Sequence, residues 1–197
     1  MSQAKVLGIS SSLNPASVSR CALEVLGRDV RKLGATFEFV DLAQSEWELP
    51  LFDPKRANPP AAYLKIRTLM MQSHSIVLAT PDYHGSVSGV MKNFLDYFWG
   101  EMTGRLFGYV CASHEKGLTV MDQMRTSVRQ CYGWSLPYGL SLSETDLNAE
   151  RSDITNPKVA ARVKLLAYDL VTYGPLLADR FQADKGQTER GFAANSK

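Results

Sequence analysis

A chain of 197 residues with 45% hydrophobic and 21% charged residues has the length and balance of a single globular α/β domain. Its 22 basic and 20 acidic residues leave a net charge of +2 with no Lys or Arg stripe, which argues against nucleic acid as a partner. No apolar run reaches the roughly 18 residues of a membrane span and no signal pattern follows Met1, so no membrane partner and a cytoplasmic location are expected.

Cys21, Cys111 and Cys131 are odd in number and lack a C-x-x-C pair, which predicts reduced thiols. His74, His84 and His114 lack metal-ligand spacing, and no metal is expected.

Lys5 to Ile9 is a short apolar run that stops at a Ser cluster, the pattern of a buried first strand. Apolar positions at helical spacing follow from Ala16 to Lys32, with Gly34 as the stop. Phe37 to Val40 reads as the second strand, 61–72 as the second helix and 75–79 as the third strand. The stretch from Val90 to Met102 is amphipathic and predicts a third helix. Phe94 and Phe98 are assigned to the core, and Tyr97, off the apolar stripe, to an intersubunit surface.

Leu106 to Ala112 gives the fourth strand, Leu118 to Gln130 the fourth helix and Tyr138 to Leu142 the fifth strand. Asn156-Pro157 opens a last helix, which Gly174-Pro175 is expected to close. Residues 1–181 read as one domain and 182–197 as a polar, flexible tail.

Strands that alternate with helices and are apolar throughout predict a parallel sheet covered on both faces, with ligands beyond the carboxyl ends of the strands. Three loops share that edge. The first, Ser10 to Arg20, brings hydroxyls and a helix start together as a phosphate requires, and Ser10, Ser12, Asn14, Ser17, Val18, Ser19 and Arg20 are its candidates. It has neither the Walker ending nor G-x-G-x-x-G, so Ser and Asn as plain turn and cap residues remain the alternative.

The second loop offers Pro81, Asp82, Tyr83, His84, Gly85 and Ser86, with a planar face at Tyr83 and glycines for close backbone approach. The third offers Ser113, His114 and Gly117, and His114 could move a proton. An ordinary Gly-containing turn and a solvated His are the simpler readings of these two.

Together these segments resemble the NADPH-dependent FMN reductase family, which has flavodoxin-like folds and includes quinone, azo-dye and chromate reductases. Ser11 to Arg20 matches its G-S-L-R-x-x-S-x-N-R phosphate pattern, with Asn14 in place of Arg and Ser19 in place of Asn. Pro81 to Asp96 matches P-E-Y-N-x-S-x-P-G-x-L-K-N-x-x-D, with Asp82 for Glu and His84 for Asn, and Leu49 to Asp53 is similar to its L-P-L-Y-D stretch. Pro137 to Thr155 matches nothing in the pattern.

The resemblance implies a flavodoxin-like, doubly wound, five-stranded parallel sheet of order 2-1-3-4-5 with FMN held by the three loops. It implies a ping-pong cycle in which hydride passes from NADPH or NADH via FMN to a quinone, free flavin or other small acceptor. The flavin would do the chemistry, with no catalytic residue required of the protein. Arg20, Arg105 and Lys116 are candidates for a 2′-phosphate, and a homodimer or homotetramer is expected. The rivals are a flavodoxin-like one-electron carrier, disfavoured by the absence of a T-x-T-G-x-T loop, and a non-redox flavin-binding or regulatory module.

Overall fold

In the computed structural model, which describes residues 3–195, short apolar runs flanked by Ser, Gly and Pro become strands buried on both faces. They are β1 (Lys5–Ser10), β2 (Thr36–Asp41), β3 (Ser75–Pro81), β4 (Leu106–Ala112), β5 (Trp134–Ser135) and β6 (Leu140–Leu142). All pair in parallel in the expected order, 2-1-3-4-5, and β6 also pairs with β4.

The fifth lane departs from expectation. Instead of one strand over 138–142, β5 pairs with Leu106 and Phe107 while β6 pairs with Val110, Cys111 and Ala112. Between them Gly139 lies so close to β4 that an added Cβ would stand 3.1 Å from the Tyr109 carbonyl oxygen. The Tyr109 hydroxyl spans the gap to the Ser135 hydroxyl at 2.5 Å.

The helices α1 (Val18–Lys32), α2 (Ala61–Gln72), α3 (Gly89–Tyr97), α4 (Leu118–Gln130), α5 (Pro157–Lys185) and α6 (Phe192–Asn195) complete the chain. Alternation along β1 and β3 sends Val6, Val77 and Ala79 to a core shared with α1 and α5. Leu7, Ile9, Ile76 and Leu78 go to a second core under α2, α3 and α4. Phe94 and Phe98 are fully buried there, as expected.

Two helix ends differ from the sequence reading. α3 stops at Tyr97, because Phe98 takes an extended backbone and 99–103 fold as turns. α5 runs through Gly174-Pro175 to Lys185. Pro175 removes one helical N–H, yet the Ser75 hydroxyl bonds the neighbouring Leu170 carbonyl at 2.7 Å. Gly174 lets this turn press onto β3, since a Cβ there would fall 1.9 Å from Ser75 Oγ. Of the segment expected as a tail, 182–185 is thus helical and 192–195 forms α6 with Ala194 buried, while Ser196 and Lys197 lie outside the described residues.

Tyr97 is tied within its own chain. Its hydroxyl donates to the Pro50 carbonyl at 2.8 Å and its ring meets Phe52 edge-on, so it secures the 49–53 stretch against α3. Asn93 does the same from one turn earlier, accepting from the Phe52 N–H at 2.8 Å and donating to the carbonyls of Leu49 and Pro50.

Candidate functional site

Register decides where the site is. Ser10 stands beside Ala79, Pro81 beside Ala112 and Ala112 beside Leu142, so the segments after β1, β3, β4 and β6 all emerge at one edge of the sheet. They enclose a cleft of about 450 Å³.

The first loop is shaped by its own side chains. Asn14 Oδ1 accepts from the Ala16 N–H at 2.9 Å, and Ser17 caps α1 by accepting from the Arg20 N–H at 3.1 Å. Helix geometry leaves the N–H groups of Val18 and Ser19 without intrahelical acceptors. Ser12, Asn14, Ser17, Val18 and Ser19 all line the cleft. Ser10 Oγ, where the loop leaves β1, is buried without a hydrogen-bond partner.

The second loop turns on His84 and Gly85, at φ 58° and 76°, between the paired backbones of Tyr83 and Ser86. Two successive positive φ angles are the pattern of a type I′ turn, and His, like Asn, is among the side chains that tolerate this region. Gln123 of α4 grips the turn, accepting from the Ser86 hydroxyl at 2.9 Å and donating to the Gly85 carbonyl at 3.2 Å. Pro81, Asp82, Tyr83, His84 and Gly85 line the cleft, while Ser86 faces Gln123.

Hydroxyls and one carboxylate join the loops. Ser88, which caps α3, donates to Ser11 Oγ at 2.9 Å, and Ser11 is in turn bonded to the Ala79 carbonyl. Asp82 accepts from the Gly85 N–H at 2.8 Å and from the Ser113 hydroxyl at 2.9 Å. Ser113 and His114 line the cleft from the third loop. Gly117 does not; its φ of 57° starts α4, and a Cβ there would lie 2.6 Å from Cys111 Sγ.

A fourth segment, absent from the sequence reading, contributes Ser143, Glu144 and Arg151. The parallel strand ending at Leu142 was the available signal, because a loop after any strand of such a sheet arrives at the same edge.

The sequence model of the NADPH-dependent FMN reductase family matches residues 4–146. The chain belongs to that family.

An NADPH azoreductase of Bacillus sp. (strain OY1-2) is 31% identical over 106 residues, 51% of this chain and 57% of that protein. An NAD(P)H-dependent FMN reductase of Pseudomonas aeruginosa is 33% identical over 96 residues, covering 47% and 49%. The chain thus spans about half the length of the curated relatives it matches. Among solved structures, FerB, a flavoenzyme NAD(P)H:(acceptor) oxidoreductase from Paracoccus denitrificans, superposes with a TM-score of 0.74 over 88% of this chain and 98% of its own, at 18% identity. That likeness is one of fold.

For a member of the FMN reductase family, the basic residues are unexpectedly committed. Arg20 Nε lies 2.8 Å from buried Asp41, out of line for a hydrogen bond, and its terminal nitrogen donates to the Pro15 carbonyl, so its guanidinium is engaged outside the cleft lining. Asp41, the last residue of β2, is occupied by the same contact. Arg105 is corrected outright: it is buried and donates to the carbonyls of Met70, Met71, Ser73, Glu101 and Thr103, far from any 2′-phosphate role. Lys116 is exposed and borders a neighbouring hollow of about 430 Å³ with Arg162.

The three cysteines are buried and free. Burial raises their pKa values, Cys21 to about 11 and Cys111 to about 12, which suppresses the thiolate and any nucleophilic role. Among the described residues no helix is long and apolar enough to cross a membrane.

Proposed function

We propose that this protein is an FMN-dependent NAD(P)H oxidoreductase that reduces a small flat acceptor, such as a quinone or free flavin, by a ping-pong cycle. The observation that carries the reading is the cleft itself, with a helix start at one end and a gripped Gly turn at the other. FMN, when bound, supplies the redox chemistry by accepting electrons from NAD(P)H and releasing them to the acceptor.

The donor set suits that cofactor. A phosphate dianion fits amides at the start of α1 beside the hydroxyls of Ser12, Ser17 and Ser19, whereas the buried Ser10 hydroxyl lies outside the cleft lining. At the other end, Pro81 to Gly85 and Ser113 offer backbone and side-chain groups to the edge of a planar ring, and half-exposed Tyr83 offers it a face. Stitching by Asp82, Ser88 and Gln123 keeps these groups in place before ligand arrives, so little ordering cost falls on binding.

The purified protein is expected to be yellow, or to take up added FMN, and to bleach anaerobically with NADPH or NADH. It should then oxidise NAD(P)H steadily with a quinone. Reduction without turnover would indicate an electron carrier, and no flavin affinity a non-redox module. We also propose a homodimer or homotetramer in the cytoplasm, where buried reduced thiols persist; a monomer by sedimentation equilibrium would contradict the assembly.

A further inference from the structure

Arg151 is the sole Lys or Arg among the residues lining the cleft, which also carries the carboxylates of Asp82, Glu115 and Glu144. It arrives from the segment between β6 and α5. Its guanidinium reaches across 135 residues of chain to donate to the Ala16 carbonyl in the first loop and, at 3.1 Å, to Glu144 Oε2. The backbone at Arg151 sits at φ 50°, a conformation costly for a residue with a side chain.

Neighbours enforce that conformation. Asn148 Oδ1 accepts from the N–H groups of Ser152 and Asp153 at 2.8 and 3.0 Å, and the Arg151 N–H bonds the Asn148 carbonyl at 3.0 Å. Asp153 pairs with Arg28 of α1 at 2.9 Å, which fixes the segment to the very helix whose start the first loop forms. On the other side, the Asp146 carboxylate accepts from the Ser143 N–H and from Asn156 Nδ2.

We propose that Arg151 is the cationic anchor of the cofactor phosphate, released from Glu144 when the phosphate binds. The inference rests on the reading of the cleft as an FMN site. A dianion brought to the α1 start meets helix amides and hydroxyls, but Arg20 is held by Asp41 and Pro15, and Asn14 is folded back on Ala16. Without a cation the nearby carboxylates would oppose the phosphate; a guanidinium 33% exposed and bonded to the same loop supplies the missing charge. Glu144, itself half exposed, holds that guanidinium at the cleft until the stronger acceptor replaces it.

The test compares FMN with riboflavin, which shares the ring and ribityl chain but lacks the phosphate, by quenching of flavin fluorescence with the full chain. Arg151→Ala is expected to weaken FMN binding about 10- to 100-fold, the worth of one charge-assisted hydrogen bond pair, and to leave riboflavin within about twofold. Arg151→Lys should restore part of the FMN affinity, and Glu144→Gln should tighten FMN alone. Equal losses for both flavins would mean that Arg151 only shapes the first loop, and no loss for either would mean that it does not meet the ligand; each overturns the proposal. Should Arg151→Ala fail to fold, Glu144→Gln decides, and unchanged FMN affinity there also overturns it. Wild-type protein that binds neither flavin would instead remove the FMN reading, and this inference with it.

Discussion

The Asp82 carboxylate receives the Ser113 hydroxyl at 2.9 Å while holding the Gly85 N–H at 2.8 Å, so one side chain couples the turn of the second loop to the third. Asp82→Ala removes both bonds and is expected to cost about 2 kcal/mol in stability, read from the midpoint of urea unfolding. With the turn loosened, FMN affinity should fall about tenfold in the same preparation. Unfolding and affinity both at wild-type values would show that the loops are held by other contacts.

Arg105 satisfies five main-chain carbonyls around the end of α2. Arg105→Ala should destabilise the fold by about 3 kcal/mol, because the carbonyls of Met71, Ser73, Glu101 and Thr103 would lose this donor, while Met70 keeps the Ser73 N–H. Arg105→Lys should recover less than half of the loss, since an ammonium cannot fan out to separate acceptors as a guanidinium does. NADPH KM is expected to stay unchanged in the Lys variant; a raised KM would return Arg105 to the coenzyme site.

His74 accepts from the Lys5 N–H through Nδ1 at 2.9 Å, and burial lowers its pKa from 6.5. The unfolded chain therefore binds this proton before the folded one does. The contribution is complete above about pH 6.5 and shrinks as the pH falls toward the folded pKa. His74→Gln should flatten that part of a melting-temperature profile taken between about pH 5 and pH 7.5. A variant profile parallel to wild type would exclude His74 as the source.

Burial keeps the thiols of Cys21, Cys111 and Cys131 protonated, with desolvation the leading cause at each. Native protein at about pH 8 should resist iodoacetamide and take up label at all three positions only when unfolded. Fast labelling of the folded protein at any one of them would contradict the closed packing around it.

Much of this architecture can be read from residue order because a buried parallel strand must be continuously apolar and must end in a turn. Lys5 to Ser10 and Ser75 to Pro81 meet both conditions, and the loops that follow them therefore sit at one edge. What could not be read depends on contacts distant in sequence. Gly174-Pro175 carries the local mark of a helix end, but α5 continues through it, with Gly174 pressed onto Ser75 and the Ser75 hydroxyl bonded to the Leu170 carbonyl from far earlier in the chain. Arg151 has no motif around it; only the pairing of β6 with β4 and the tie between Asp153 and Arg28 bring it to the first loop. Tyr97 looked free of the core stripe because its partners, Pro50 and Phe52, belong to an irregular stretch without periodicity.

The interrupted fifth lane also bears on aggregation in a crowded solution. A foreign strand approaching that border finds two residues at β5 and three at β6, separated by the irregular stretch 136–139, and so cannot build a ladder of useful length. The break beside the Tyr109–Ser135 contact therefore blunts this border against edge-to-edge recruitment and leaves the six-residue β2 as the longer open edge.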